Sequence, residues 1–247
     1  MRKLSAFIKR NMIEMLRDPL ALVFCIMFPV VMLIFMQIIT LNMEFVPENF
    51  MIENYAVGIC VFGYSFTGMF VALSITGDKN SSLIKRIEIS PVKKSTYFLS
   101  YIFSGLPIAA CQTILFFLIA LIFGLPLSIN TLLAFIYLIP SALFYITLGV
   151  LLGVVCKNEK QTGPINSIIV TIVGMLGGVF MPISVFGGGF KTFVNILPFC
   201  HTVQIASNVY NKGASSIYPH IIFILGYILI IWLITLLILK ISDKKTK

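Results

Sequence analysis

A chain of 247 residues that is 59% hydrophobic and only 11% charged, with a mean hydropathy of +1.02, lies far outside soluble composition, where about a quarter of residues carry charge; it is an integral membrane protein. Eighteen Lys and Arg against nine Asp and Glu give a net charge of +9, but these cations sit in short segments beside apolar stretches, which excludes nucleic acid as a partner and leaves the lipid bilayer. Five scattered cysteines (Cys25, Cys60, Cys111, Cys156 and Cys200) form no C-x-x-C or His/Cys cluster and read as small apolar residues of buried helices.

The first element is an amphipathic helix over residues 3 to 17. Leu4, Ile8, Met12 and Leu16 recur four apart with Phe7 and Met15 beside them, while Lys3, Lys9, Arg10, Glu14 and Arg17 keep the other face polar. Such a helix lies in the membrane interface, held by apolar insertion and by attraction to anionic lipid, or serves simply as a topology anchor. Asp18 followed by Pro19 supplies an N-cap and a first-turn proline, so the chain turns into the membrane there.

A crossing needs about 20 apolar residues, and six stretches qualify. They are Pro19 to Leu41, Tyr55 to Thr76, Tyr97 to Gly124, Thr131 to Cys156, Pro164 to Ile183 and Tyr218 to Lys240. The first is too long for a secretory signal and has no small-residue cleavage site after it, so it is expected to be retained. The loop before the second span carries Glu44, Glu48 and Glu53 and no cation. The next gap, Gly77 to Thr96, holds Leu83, Ile84, Ile87 and Ile89 among Lys85, Arg86 and Glu88, and reads as a short helix ended at Ser90-Pro91, because the residue before proline disfavours helical geometry. Between the fifth and sixth spans, Gly177-Gly178, Pro182, Gly187 to Gly189 and Pro198 break the chain into pieces too short to cross. Backbone of that kind at membrane depth must be shielded by protein, which predicts re-entrant helices.

Sixteen of the eighteen cations fall in the N-terminal segment, in Asp78 to Lys94, just after Cys156 and in the tail, at every second gap between spans. Cationic loops stay cytoplasmic, so both termini are expected inside. The expected fold class is therefore all-α integral membrane. It is organised as residues 1–18, the amphipathic helix, and residues 19–247, a single six-span domain.

The chemistry that is missing narrows function. All Asp, Glu, Lys and Arg side chains are expected outside the spans, Lys240 at an edge, whereas ion-coupled carriers usually retain buried ionisable groups. Sodium sites made of backbone carbonyls leave an ion-coupled secondary transporter open as an alternative. GGGFKT at Gly187 to Thr192 breaks the phosphate-loop pattern with Phe190. An intramembrane enzyme acting on lipid or peptide would need an acid–base or metal constellation, and His201 and His220, the only histidines, have no carboxylate neighbour in sequence. No catalytic, cofactor-binding or metal-ligating residue is assigned. A passive pathway that borrows its energy needs a partner gripping residues 1 to 18 and 77 to 96, the two largest surfaces on the cationic side.

These residues resemble the permease subunits of type-2 ATP-binding-cassette exporters, over essentially the whole chain. Arg17-Asp18-Pro19 matches the basic-acidic-proline end of that family's connecting helix, to which Arg10 also belongs. Leu83-Ile84-Lys85-Arg86-Ile87 through Ser90-Pro91-Val92 matches its coupling helix, although Gly77-Asp78-Lys79-Asn80 stands where the family often has Glu-Arg-Gly-Thr. Gly177-Gly178-Val179-Phe180-Met181-Pro182 and Asn195-Ile196-Leu197-Pro198 match its outer segment. The resemblance implies an ATP-driven export permease in a cell membrane, bacterial in type and without catalytic activity of its own. It implies a homo- or heterodimer with a second permease subunit, and separate ATPase subunits that hold ATP and magnesium, none being bound by this chain. First, second and fifth spans would face the dimer axis, making Gln37, Tyr64, Ser65, Thr67, Asn166, Ser167 and Thr171 the possible pathway residues, each equally able to serve an interhelical hydrogen bond.

Overall fold

The computed structural model describes residues 2–81, 83–84, 94–211 and 216–245, and among these it is all-helical with no strand. Helix α1 (Arg2–Arg17) ends at Asp18, whose carboxylate accepts from the Leu20 and Ala21 amides and starts α2 (Pro19–Leu22). A π-helical stretch, Val23–Met27, joins α2 without a break to α3 (Phe28–Thr40). Then follow α4 (Ile52–Asn80), α5 (Lys94–Ile122), α6 (Ile129–Val155), α7 (Glu159–Leu176), α8 (Gly188–Ile196), α9 (Pro198–Asn211) and α10 (Tyr218–Lys245). Short 3-10 turns occupy Glu48–Phe50 and Ile183–Val185.

Among the described residues, five helical segments are long and apolar enough to cross a membrane: Pro19–Thr40, Ile52–Asn80, Lys94–Ile122, Ile129–Val155 and Tyr218–Ile241. The expected fifth span differs. Its helix begins at Glu159, capped by the Asn158 side chain on the Gln161 amide, and stops at Leu176, seven residues before Ile183. The cause is Gly177-Gly178: Gly178 takes φ +86°, a left-handed geometry that favours glycine, and the chain leaves the helix axis there. At 18 residues with a polar first turn, α7 is not among the five.

Helix α4 is the axis. It packs on α6, α5, α7, α9 and α3, and 89% of its apolar stretch is buried within the chain, against 17% for α10, which lies outside against α6 and α9. In lipid the apolar environment offers no gain from burial itself, so packing depends on close approach of small residues. Gly149 of α6 meets Gly68 of α4 so closely that a methyl on either would overlap main-chain carbonyl oxygen, that of Gly68 or of Tyr145. One turn on along α6, a Cβ on Gly153 would lie 2.7 Å from the Ile75 Cβ. The Gly149/Gly153 pair therefore closes a contact inside the chain. Gly174 does the same against Phe180 and Phe62, whose rings stand edge to face at 5.0 Å.

Candidate functional site

At the α1 end of the bundle, polar side chains from three helices converge. The α1 face turned inward is Phe7, Asn11 and Met15, centred on an asparagine with no exposure, rather than the Leu4-Ile8-Met12-Leu16 stripe, of which Leu16 stays 45% exposed. Asn11 donates to Ser100 Oγ of α5 at 2.9 Å, and the Phe7 ring meets Tyr97 edge-on at 5.5 Å. Beside Asn11 in the chain, Arg10 forms a two-pronged pair with Asp78, 2.6 Å on each oxygen. The Tyr97 and Tyr101 hydroxyls both donate to Asp78 Oδ2. A carboxylate with four donors is a strong acceptor site, and donating to Asp78 holds the Arg10 guanidinium more firmly protonated than usual. Glu14, 2.9 Å from Arg10, has its pKa raised by partial burial, which outweighs the opposing pull of the cation.

Asp78 corrects the expectation that no ionisable side chain belongs to a span. Helix α4 runs through to Asn80, so Asp78 sits in its last turn, 5% exposed. Its neighbour Lys79 points the other way and donates to the carbonyls of Val154 and Cys156, capping the C-terminus of α6 where cations are favoured. Two of the cations expected to be offered to a partner, Arg10 and Lys79, are thus engaged within the chain. Arg17 is exposed, and with Arg10, Glu14 and Asp18 it borders an open cleft of about 530 Å³. Beyond Ser81, Leu83 and Ile84 are half-buried against the core, while Lys85, Arg86, Ile87, Ser90, Pro91 and Val92 lie outside the described residues.

The possible pathway residues divide. Pro29 lacks an amide proton and leaves the Cys25 carbonyl without its helical donor. Gln112 of α5 donates to that carbonyl at 2.7 Å and accepts from Thr67 of α4 at 2.8 Å. Tyr64 pairs with Thr113, Ser65 with the Phe62 carbonyl, Gln37 with the Phe50 carbonyl and Asn166 with the Thr162 carbonyl, all four buried. These five serve interhelical or local hydrogen bonds. Ser167 and Thr171 are exposed, one turn apart on the open face of α7, and bond only to carbonyls four residues back. Gln112 carries the central junction of the π-helical stretch of the first span, α4 and α5 and was missed in sequence; a lone glutamine in a span, with a proline in an earlier one, was its signal.

Towards the other end, His201 of α9 and His220 of α10 approach Nδ1 to Nδ1 at 2.7 Å, and His201 Nε2 lies 2.8 Å from the Asn195 carbonyl. A carbonyl only accepts, so Nε2 carries the His201 proton, Nδ1 is the acceptor, and His220 donates. No group of three or more metal-ligating side chains occurs among the described residues.

The profile of the ABC-2 type transporter family matches residues 2–211. The protein described as ABC transporter G family member 20, from Dictyostelium discoideum, is 22% identical over 207 residues, covering 81% of this chain. This chain corresponds to only 28% of that relative's length. With a membrane-domain profile spanning most of the sequence and five helices able to cross a bilayer, the chain belongs to the ABC-2 type transporter family, as a multi-pass membrane permease.

Proposed function

We propose that the chain is the pathway-forming half of an ATP-driven exporter in a bacterial cell membrane. Two permease subunits enclose the pathway, and separate ATPase subunits, holding ATP and magnesium, dock beneath them; this chain itself catalyses nothing. The α1 end faces the cytoplasm together with both termini. Helix α7 is the fifth of six crossings, and α8 and α9 form the re-entrant segment on the far side. The open face of α7, with Ser167 and Thr171, borders the pathway.

The observation that carries this reading is the Arg10–Asp78 pair with Tyr97 and Tyr101. It ties the connecting helix, the end of the second span and the start of the third into one body, immediately before the segment from Leu83 to Val92 that resembles a coupling helix. Force applied to either docking surface reaches α4, the helix that touches most of the bundle. The cleft beside Arg17 and Asp18 gives a partner a polar foothold on the same face.

The test is co-purification with reconstitution. A tagged chain brings down an ATP-binding subunit, and Arg86→Glu or Pro91→Ala lowers transport-coupled ATP turnover by about tenfold, about 1.4 kcal/mol in the barrier. Absence of any ATP-binding partner, together with turnover indifferent to both substitutions, refutes the proposal. Cysteine labelling checks orientation independently: position 85 should react from the cytoplasm and position 48 from outside.

A further inference from the structure

Helix α8 has two unlike faces. At helical spacing, Phe190 and Phe193 fall on one side with the preceding Phe186, and Lys191, Thr192 and Asn195 on the other. Val194 is its one buried side chain. The three phenylalanine rings form a ladder: Phe186 meets Phe190 edge-on at 5.2 Å, and Phe190 meets Phe193 tilted at 6.1 Å. Half of Phe190 (50%) and of Phe193 (52%) is nevertheless exposed. A contiguous apolar face of this kind, set against a polar one, marks an interaction surface.

The end of α8 indicates what surrounds it. A helix leaves its last carbonyls without internal donors, and water commonly supplies them. Here protein side chains do. Cys200 Sγ donates to the Val194 carbonyl at 3.3 Å, His201 Nε2 to that of Asn195 at 2.8 Å and the Tyr227 hydroxyl to that of Ile196 at 2.9 Å. The last two bonds lie at the surface of the chain, where water would make them unnecessary. Hydrocarbon supplies no donor, so backbone at membrane depth requires them. Tyr227 gives the depth: it stands about 13.5 Å along α10 from Tyr218, at 1.5 Å per residue. Around it on α10, Phe223, Leu225, Leu229 and Ile230 are exposed apolar side chains of a span that the chain buries by only 17%. The end of α8 is thus tied to the lipid-facing helix of the bundle, at a level below that helix's own start.

We propose that α8 is a phospholipid-binding helix. Phe186, Phe190 and Phe193 insert among the acyl chains beside α10, while Lys191, Thr192 and Asn195 stay with the headgroups, where the Lys191 cation meets lipid phosphate. Lipid is favoured over a second copy of the chain because His201 and Tyr227 anchor α8 to α10, which the chain covers least of its five long apolar helices. The assignment rests on the re-entrant reading of α8 and on no other part of the proposed function. Neither the side of the membrane nor the coupling to ATP enters it.

The full-length chain has one tryptophan, Trp232, so Trp232→Phe gives a silent background for Phe190→Trp, Phe193→Trp or Thr192→Trp. Each variant is reconstituted in phosphatidylcholine vesicles, with and without lipid brominated along the upper part of its acyl chains, and is quenched separately with aqueous acrylamide. The apolar face of an interfacial helix lies about 5–10 Å into the boundary of headgroups and chains, within reach of those bromines. Brominated lipid is expected to quench emission from positions 190 and 193 several-fold more than from 192, and acrylamide to act in the reverse order. Equal quenching by lipid at 190 and 192 overturns the proposal. Shielding of 190 from both quenchers, as under a second copy, refutes the lipid contact alone. Acrylamide reaching 190 without any quenching by lipid also overturns it; if 192 behaves in the same way, α8 lies in water and the re-entrant reading falls with it. Should Phe190→Trp fail to fold, as judged by its gel-filtration profile, Phe193→Trp carries the same expectations.

Discussion

The two ends of the bundle are both polar, yet they treat hydrogen bonding in opposite ways. At the α1 end, Asp78 collects four donors, Asn11 and Ser100 satisfy each other, and Lys79 closes the carbonyls left open at the end of α6. At the other end, Asn49 Oδ1 and Ser207 have no hydrogen-bond partner among the described residues, and Gln204, Ser207, Asn208 and Asn211 of α9 line a cavity. A saturated cluster has one arrangement and moves as a body, which suits transmission of force; an unsaturated one is receptive. Between them, Gln112 joins the first span, α4 and α5 through a carbonyl that Pro29 set free, so the middle follows the logic of the α1 end.

That contrast can be broken most sharply at Asp78. Removing one member of a buried pair strands the other, costing about 3–5 kcal/mol, and the 35% exposure of the Arg10 side chain places Asp78→Ala near the lower limit of that range. Thermal unfolding of the purified chain should show the loss. Exchanging the charges (Arg10→Asp with Asp78→Arg) should recover little, because Tyr97 and Tyr101 would then face a cation. If Asp78→Ala melts like the wild type, the α1 end is not a rigid body.

Next in size is Gln112→Leu, which leaves the Cys25 carbonyl and the Thr67 hydroxyl without this partner. Interhelical hydrogen bonds in membranes are worth about 1 kcal/mol, so a loss of about 1–2 kcal/mol is expected by the same measurement, from the two bonds together. A neutral outcome would mean that water or Thr67's own bond to the Gly63 carbonyl suffices.

The smallest effect belongs to the histidines. Burial lowers the His201 pKa below its ordinary value of 6.5, against a smaller upward pull from Asn195. The folded state then takes up its proton less readily than the unfolded one. Stability is full above pH 6.5 and declines as pH falls from there through the lowered folded value. Protonated His201 would also confront the His220 donor with another donor. Protection factors for hydrogen exchange in α8 to α10, taken relative to the intrinsic rate at each pH, should fall a few-fold on acidification, a shift of about 1 kcal/mol or less, and His201→Phe should remove the dependence. Protection factors unchanged between pH 7.5 and 5.5 would show that the pair does not hold α9 to α10.

Much of the fold was legible from charge and hydropathy. Helix ends fell within a few residues of expectation for the five clear spans, and the Asp18-Pro19 cap formed as the residues suggested. What was not legible is polar and long-range. Asn11 drew no assignment because periodicity arguments count apolar side chains, yet it centres the buried face of α1. Asp78 looked like a loop residue just past the second span; only the approach of Arg10, 68 positions away, and of Tyr97 and Tyr101 explains its burial. Gln112 depends on a carbonyl 87 positions earlier. Such pairings carry no local pattern, and three helices must already be in place before any of them exists.

The π-helical turn at Val23–Met27 has a consequence for comparing sequences. A π turn holds one residue more than the α-helix would, and each residue advances a helix by about 100°. The faces of Pro19–Leu22 and Phe28–Thr40 are therefore out of phase with any single α-helical wheel drawn through the first span. Aligning this chain with a relative whose first span is α-helical throughout requires a one-residue gap at this turn. A gap opened elsewhere in the span would rotate Leu33 and Gln37, which face the bundle, towards lipid.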